Sequence, residues 1–143
     1  MLVVDSSVWI DFFNGSASAA ADDLAVVLQK GELRLIVPDL VLFEVLRGFR
    51  LERDHRQARL LLEGLDIEST GSHDLALHAA EHYRALRVAG FTVRKTVDVL
   101  VATFCIDRDY ALLHSDRDFL PFESLRGLKC WPSASPRAAL EIA

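Results

Sequence analysis

The sequence predicts an α/β fold, a three-layer sandwich of helices on both faces of a parallel sheet. Three observations lead there. Short, wholly apolar runs such as Leu2-Val3-Val4 and Leu35-Ile36-Val37 read as strands buried on both faces. Segments of helical period separate them, giving a β-α-β-α order whose crossovers are right-handed and cover both faces. The chain has 143 residues, 51% of them hydrophobic and 26% charged. That suits one domain that needs no disulfide or structural metal to bury a core.

The elements follow in order. Leu2–Val4 is a strand ending at Asp5, and Ser6 or Ser7 caps a short helix to about Phe13. Asn14-Gly15-Ser16 is a break. Ser18 to about Lys30 is a helix closed by Gly31. Leu35–Val37 is a second strand, stopped by Pro38, after which Asp39 caps a helix to about Phe49. Another helix runs from Glu52 to Glu63, stopped by Gly64, and Asp66–Glu68 is a short strand. A long helix starts at Ser72 or His73 and ends at Gly90. Val97, Leu100, Val101, Phe104 and Cys105 then mark an amphipathic helix capped by Thr96. Ala111–His114 is a strand, Asp116–Pro121 a turn into a short helix, and Leu128–Trp131 a last strand. Residues 133–143 form a Ser/Pro/Ala-rich, weakly determined tail of a single domain spanning 1–143.

Composition excludes several classes. No apolar run reaches membrane-spanning length, and the apolar start lacks the pattern of a signal peptide. Cys105 and Cys130 do not make a disulfide framework, so a reduced, cytoplasmic protein is expected. The net charge of −5 argues against whole-surface binding to nucleic acid, though not against a local basic patch.

In a parallel sheet, function gathers outside the carboxyl ends of the strands. Asp5 and Asp116 follow two of those ends, Glu44 interrupts an otherwise apolar helix, and Asp98 lies in the first turn of the Thr96 helix. Asp118 sits two residues beyond Asp116. Each has an ordinary alternative: a helix cap for Asp5, a dipole partner for Asp98, an ion pair with Arg47 for Glu44, turn formers for Asp116 and Asp118. Together they crowd negative charge at one edge. Oxygen-only ligands favour Mg²⁺ or Mn²⁺, and the chemistry implied is metal-assisted phosphodiester hydrolysis.

The motifs Val4-Asp5-Ser6-Ser7-Val8-Trp9-Ile10, Pro38-x₅-Glu44, Val97-Asp98-x₂-Val101-Ala102 and His114-x-Asp116-x-Asp118-Phe119 occur in that order over nearly the whole chain. The pattern resembles the PIN domain, and most of all the VapC-type toxins of bacterial toxin–antitoxin pairs. The resemblance implies a PIN-like α/β/α sandwich and a Mg²⁺- or Mn²⁺-dependent endoribonuclease acting on structured RNA, often a tRNA or ribosomal RNA. It implies catalytic and metal-binding roles for Asp5, Glu44, Asp98 and Asp116, with Asp118 auxiliary. It also implies a small cognate antitoxin and a homodimer. The family often has a hydroxyl residue two positions before its last acid. Here that position is His114, which leaves hydroxyl support to Ser6, Ser7 or Ser115.

Other signals compete. His78-Ala79-Ala80-Glu81-His82 matches a zinc-peptidase helix motif, against which stands a surface helix with solvated histidines. Arg47, Arg50, Arg53, Arg56 and Arg59 recur every third residue and read either as a solvated face or as an RNA-contacting arm. Arg50, Arg53, Arg94 and Lys95 are the candidate phosphate contacts. Trp9 is either a base-stacking surface or core. Two further classes remain: a PIN-like interaction module without catalysis, and a phosphoryl-transfer receiver domain. The latter lacks a paired acid after the first strand and a lysine after the last.

Overall fold

A computed structural model describes residues 1–132. The expected tail, residues 133–143, lies outside the described residues. The elements are β1 (Leu2–Val4), α1 (Ser6–Asn14), α2 (Ala19–Lys30), β2 (Leu35–Pro38), α3 (Asp39–Leu46) and α4 (Glu52–Glu63). They continue with β3 (Asp66–Glu68), α5 (His73–Val88), α6 (Thr96–Arg108), β4 (Ala111–Leu113), a 3-10 turn (Arg117–Phe119), α7 (Leu120–Leu125) and β5 (Lys129–Cys130). The strands form one sheet in the order β3-β2-β1-β4-β5. Registered pairs such as Leu2 with Leu35, Ile36 with Asp66 and Ala111 with Lys129 are parallel. The α/β/α class expected from the sequence is the one found.

The described residues form two compact units: Met1–Ser69 with Leu113–Ser115, and Thr70–Leu112 with the described residues from Asp116 onward. In the first unit every residue of β1 and β2 is buried, as their unbroken apolar runs require. Trp9 is 1% exposed and stacks on Phe13, which meets Phe49 edge to face. Trp9 is therefore core and unavailable to a nucleobase. Burying a side chain of this kind contributes about 1.5–3 kcal/mol.

In the second unit Leu75, Ala79, His82 and Leu86 form the buried stripe of α5. From Val101 to Cys105 α6 is buried at every position, beyond the amphipathic face expected, and Cys105 is core as read. Thr103 tolerates this because its hydroxyl donates to the Val99 carbonyl, 2.7 Å away.

Several helix ends differ from expectation. α3 stops at Leu46 rather than near Phe49, because Arg47 and Gly48 close it with bonds to Phe43 and Val45 carbonyls. Pro38 occupies its N-cap position without a side-chain bond, and Asp39 is the first helical residue. Lys95, not Thr96, is the N-cap of α6. Ser18 and Ser72, near which helices are expected to begin, are N-caps, each accepting a backbone N–H three residues on.

Candidate active site

Asp5 leaves the end of β1 and becomes the N-cap of α1, displacing Ser6 and Ser7 from that expected role. Its backbone N–H donates to the Leu113 carbonyl at 3.0 Å. Its Oδ2 accepts from the Ser7 hydroxyl at 2.5 Å and from the Ser7 N–H at 3.4 Å. Its Oδ1 is buried and has no hydrogen-bond partner among the described residues. Burial pushes the carboxyl above its ordinary 3.8, against the bonds from Ser7 and the charge of His114. The cap reading of Asp5 is thus correct, and the cap uses only one of its two oxygens.

Glu44 is half-buried on α3. The expected partner, Arg47, instead lies over the Phe43 ring, 5.5 Å from its centroid. Glu44 accepts a hydrogen bond from the Ser6 hydroxyl at 2.9 Å. Consecutive serines therefore hold two acids, Ser6 orienting Glu44 and Ser7 orienting Asp5. His114, in the position where the resembled family often has a hydroxyl, is 1% exposed.

In the second unit Asp98 is buried in the first turn of α6. Asp116 caps the 3-10 turn, accepting the Asp118 N–H at 2.9 Å. Asp98, Asp116 and Asp118 each present a carboxylate oxygen, all within 4.8 Å of one another. Three carboxylates at that spacing suit a hard divalent cation with oxygen ligands. The turn-former reading of Asp116 is correct as well, and the turn is what brings Asp118 back toward it. A cavity of about 440 Å³ opens beside Asp118, lined also by Phe91, Thr92 and Arg117. It was not foreseen from the sequence, which showed only a polar connector there.

The competing motifs separate. His82 is buried, not solvated: its Nδ1 accepts from Arg126 Nε at 2.9 Å and its ring meets Phe122 edge-on. Burial first, and then Arg126, lowers its pKa from 6.5. His78 is exposed, with Nδ1 2.9 Å from an Asp107 carboxylate oxygen that raises its pKa. Among the described residues neither histidine joins a group of three potential metal ligands. The arginines recurring from Arg47 to Arg59 do not share one helix, because α3 ends before them and α4 starts at Glu52. Arg50 and Arg53 are exposed, Arg53 lying 3.7 Å from Asp54. Arg94 and Lys95, in the connector before α6, are exposed too.

Residues 2–124 fit the PIN domain family model. Over 119 residues the chain is 30% identical to "VapC ribonuclease Mb1587" of Mycobacterium bovis and to "Ribonuclease VapC11" of Mycobacterium tuberculosis. Each match spans 83% of this chain and 89% of the relative. Among solved structures, a chain of the VapBC2 complex of Rickettsia felis bound to a promoter DNA fragment superposes with a TM-score of 0.69 at 15% identity, covering 89% of this chain and 94% of that one. A chain of a toxin–antitoxin complex from Klebsiella pneumoniae gives 0.64 at 17% identity, covering 83% and 90%.

Proposed function

The chain belongs to the PIN domain family, and from that premise we propose that it is a metal-dependent endoribonuclease, the toxin of a toxin–antitoxin pair. The observation that carries this reading is the likeness to relatives named as ribonucleases along most of both chains. Asp5, Glu44, Asp98 and Asp116 are the proposed catalytic carboxylates and metal ligands, with Asp118 as a further ligand. The donor set fits Mg²⁺ or Mn²⁺: every donor is an oxygen, and the buried Oδ1 of Asp5 has no hydrogen-bond partner among the described residues. When bound, such an ion supplies a water of lowered pKa and a counter-charge for the phosphoryl oxygens.

The chain's own residues prepare for that. Ser7 fixes the rotamer of Asp5 through two bonds to one oxygen, which leaves the other for coordination. Ser6 holds Glu44 through one carboxylate oxygen, freeing the second. Asp116 holds the 3-10 turn by accepting the Asp118 N–H with Oδ1. Arg50, Arg53, Arg94 and Lys95 are the proposed contacts to RNA phosphates, the substrate being of the tRNA or ribosomal RNA class. A cognate antitoxin, a homodimer and a cytoplasmic location complete the reading. No helix among the described residues is long and apolar enough to cross a membrane.

The test is cleavage of total tRNA and ribosomal RNA by purified protein in excess chelator, then with Mg²⁺ or Mn²⁺ restored. Activity should vanish and return. Full activity in chelator refutes metal dependence. No Mg²⁺ binding by calorimetry, together with no cleavage of any RNA, instead supports the non-catalytic interaction module, whose acids bind no metal.

A further inference from the structure

We propose that the cavity beside Asp118 is a nucleotide subsite that holds, against Phe91, the base neighbouring the scissile phosphate. The inference rests on the ribonuclease reading and deepens it. The cavity, about 440 Å³, belongs wholly to the second unit. That volume lies in the range of ligand pockets and suits one nucleotide better than a helix or strand of a partner.

Its walls have the chemistry of a nucleotide. Phe91 is 44% exposed, although its backbone is anchored by an N–H bond to the Leu86 carbonyl at 2.8 Å. The Phe91 backbone is thus fixed just beyond α5 while the residue stays partly uncovered, which leaves ring surface open to base stacking. Pro121 lines the same cavity and adds apolar surface. Ser124 already donates its hydroxyl proton to the Leu120 carbonyl at 3.2 Å. Toward the cavity it can therefore only accept, which matches an amino or ring N–H of a base. Thr92 adds a hydroxyl, and Arg117 a guanidinium of the kind that pairs with phosphate.

Asp118 connects the cavity to the chemistry. It lines the wall and also belongs to the carboxylate trio, with its oxygen within 4.8 Å of those of Asp98 and Asp116. A base lodged there brings its own phosphate toward the acids that cut. Phe91 would act as a positioning residue for substrate, making no contact with the reacting atoms.

The experiment is steady-state cleavage of short RNAs in which the base on either side of the cut is replaced by an abasic site. Phe91→Ala should raise KM for intact RNA by about 5- to 100-fold, the range of one lost stacking contact, with kcat within a few-fold. One abasic position should penalise the wild type similarly and add nothing further in Phe91→Ala. Phe91→Tyr should restore KM, and equal thermal midpoints should show that all variants fold. Additive penalties, or an unchanged KM in Phe91→Ala, overturn the subsite while leaving the ribonuclease reading intact. An unchanged KM with altered self-association in light scattering makes the face a protein contact and overturns the subsite too. If the wild type cleaves none of the intact RNAs, the ribonuclease reading falls and the subsite with it.

Discussion

Replacing Asp5 by Asn should make the metal-free protein more stable and the enzyme inactive. Asp5 is 4% exposed, with Oδ2 bonded by Ser7 and Oδ1 buried without a partner. Asn retains the shape, and its oxygen can still accept from Ser7, so the α1 cap survives. Its amide then takes the place of the orphan oxygen. A buried unsatisfied neutral group costs about 1–3 kcal/mol and a charged one more. The difference, about 1 kcal/mol, favours the variant near pH 7. For a chain of this length that is a rise of roughly 3 °C in Tm.

The sign of the pH dependence follows from the raised carboxyl. Below 3.8 both folded and unfolded chains hold the proton, and the stability is fully present. As pH climbs the unfolded chain loses its proton first, so stability falls until the folded value is passed. Asp5→Asn lacks this slope, and its curve should meet the wild type's below about pH 4. Asp5→Ala loses the cap as well and should lie about 1 kcal/mol below Asn. In saturating Mg²⁺ the wild type should gain about 2.7 kcal/mol at a hundredfold excess over Kd, and Asn much less. The assay is thermal unfolding from pH 3 to 8 with chelator and with Mg²⁺, beside RNA cleavage. An Asn variant less stable than wild type in chelator at pH 7, yet equally stabilised by Mg²⁺, would refute the reasoning.

Other expectations can be checked in parallel. Ser6→Ala removes the bond to Glu44 and should cost about 1 kcal/mol in chelator melts. In calorimetry it should also weaken metal binding by roughly 10- to 100-fold. Arg50→Ala with Arg53→Ala should weaken RNA binding and reduce the slope of log K against log salt by about 1 per lost contact, as read by filter binding. His82 has a lowered pKa, so its contribution is present above 6.5 and lost as pH falls toward the folded value. The stability difference between wild type and His82→Gln should accordingly shrink or reverse between pH 7 and 5 in urea unfolding, and a pH-independent difference would discount the burial of a neutral His82.

Much of this was legible in the sequence, for physical reasons that also mark where legibility stops. The strands could be read because a parallel strand buried on both faces has no polar positions, as in Leu35-Ile36-Val37. Helix starts near Ser18 and Ser72 were readable because a serine can hold a first turn through an N–H only three residues away. The end of α3 was not, since the apolar run through Leu46 gives no stop signal of its own and the closure depends on Arg47 and Gly48. Asp98 and Asp116 could be named as acids at helix and strand ends, whereas their closeness to Asp118 depends on a turn built by Asp116 itself. The pairing of Ser6 with Glu44 crosses 38 positions and has no local signature. His82 fell outside the reading because imidazoles are usually solvated. The spacing of Leu75, Ala79, His82 and Leu86 held the signal, and Arg126 is the partner that makes burial tolerable.

The bond from the Asp5 N–H to the Leu113 carbonyl bears on how the chain is made. Asp5 leaves a ribosome well before its backbone partner, which arrives only when residue 113 has been added. At about 5–20 residues per second that interval is on the order of ten seconds. Throughout it, β1 and α1 exist without the contact that fixes their junction. A fragment ending after the first unit's long N-terminal stretch, Met1–Ser69, would lack the same anchor. Chains that stop before residue 113 should therefore carry the acid without its native setting, and the cleavage activity proposed above would await synthesis past that residue.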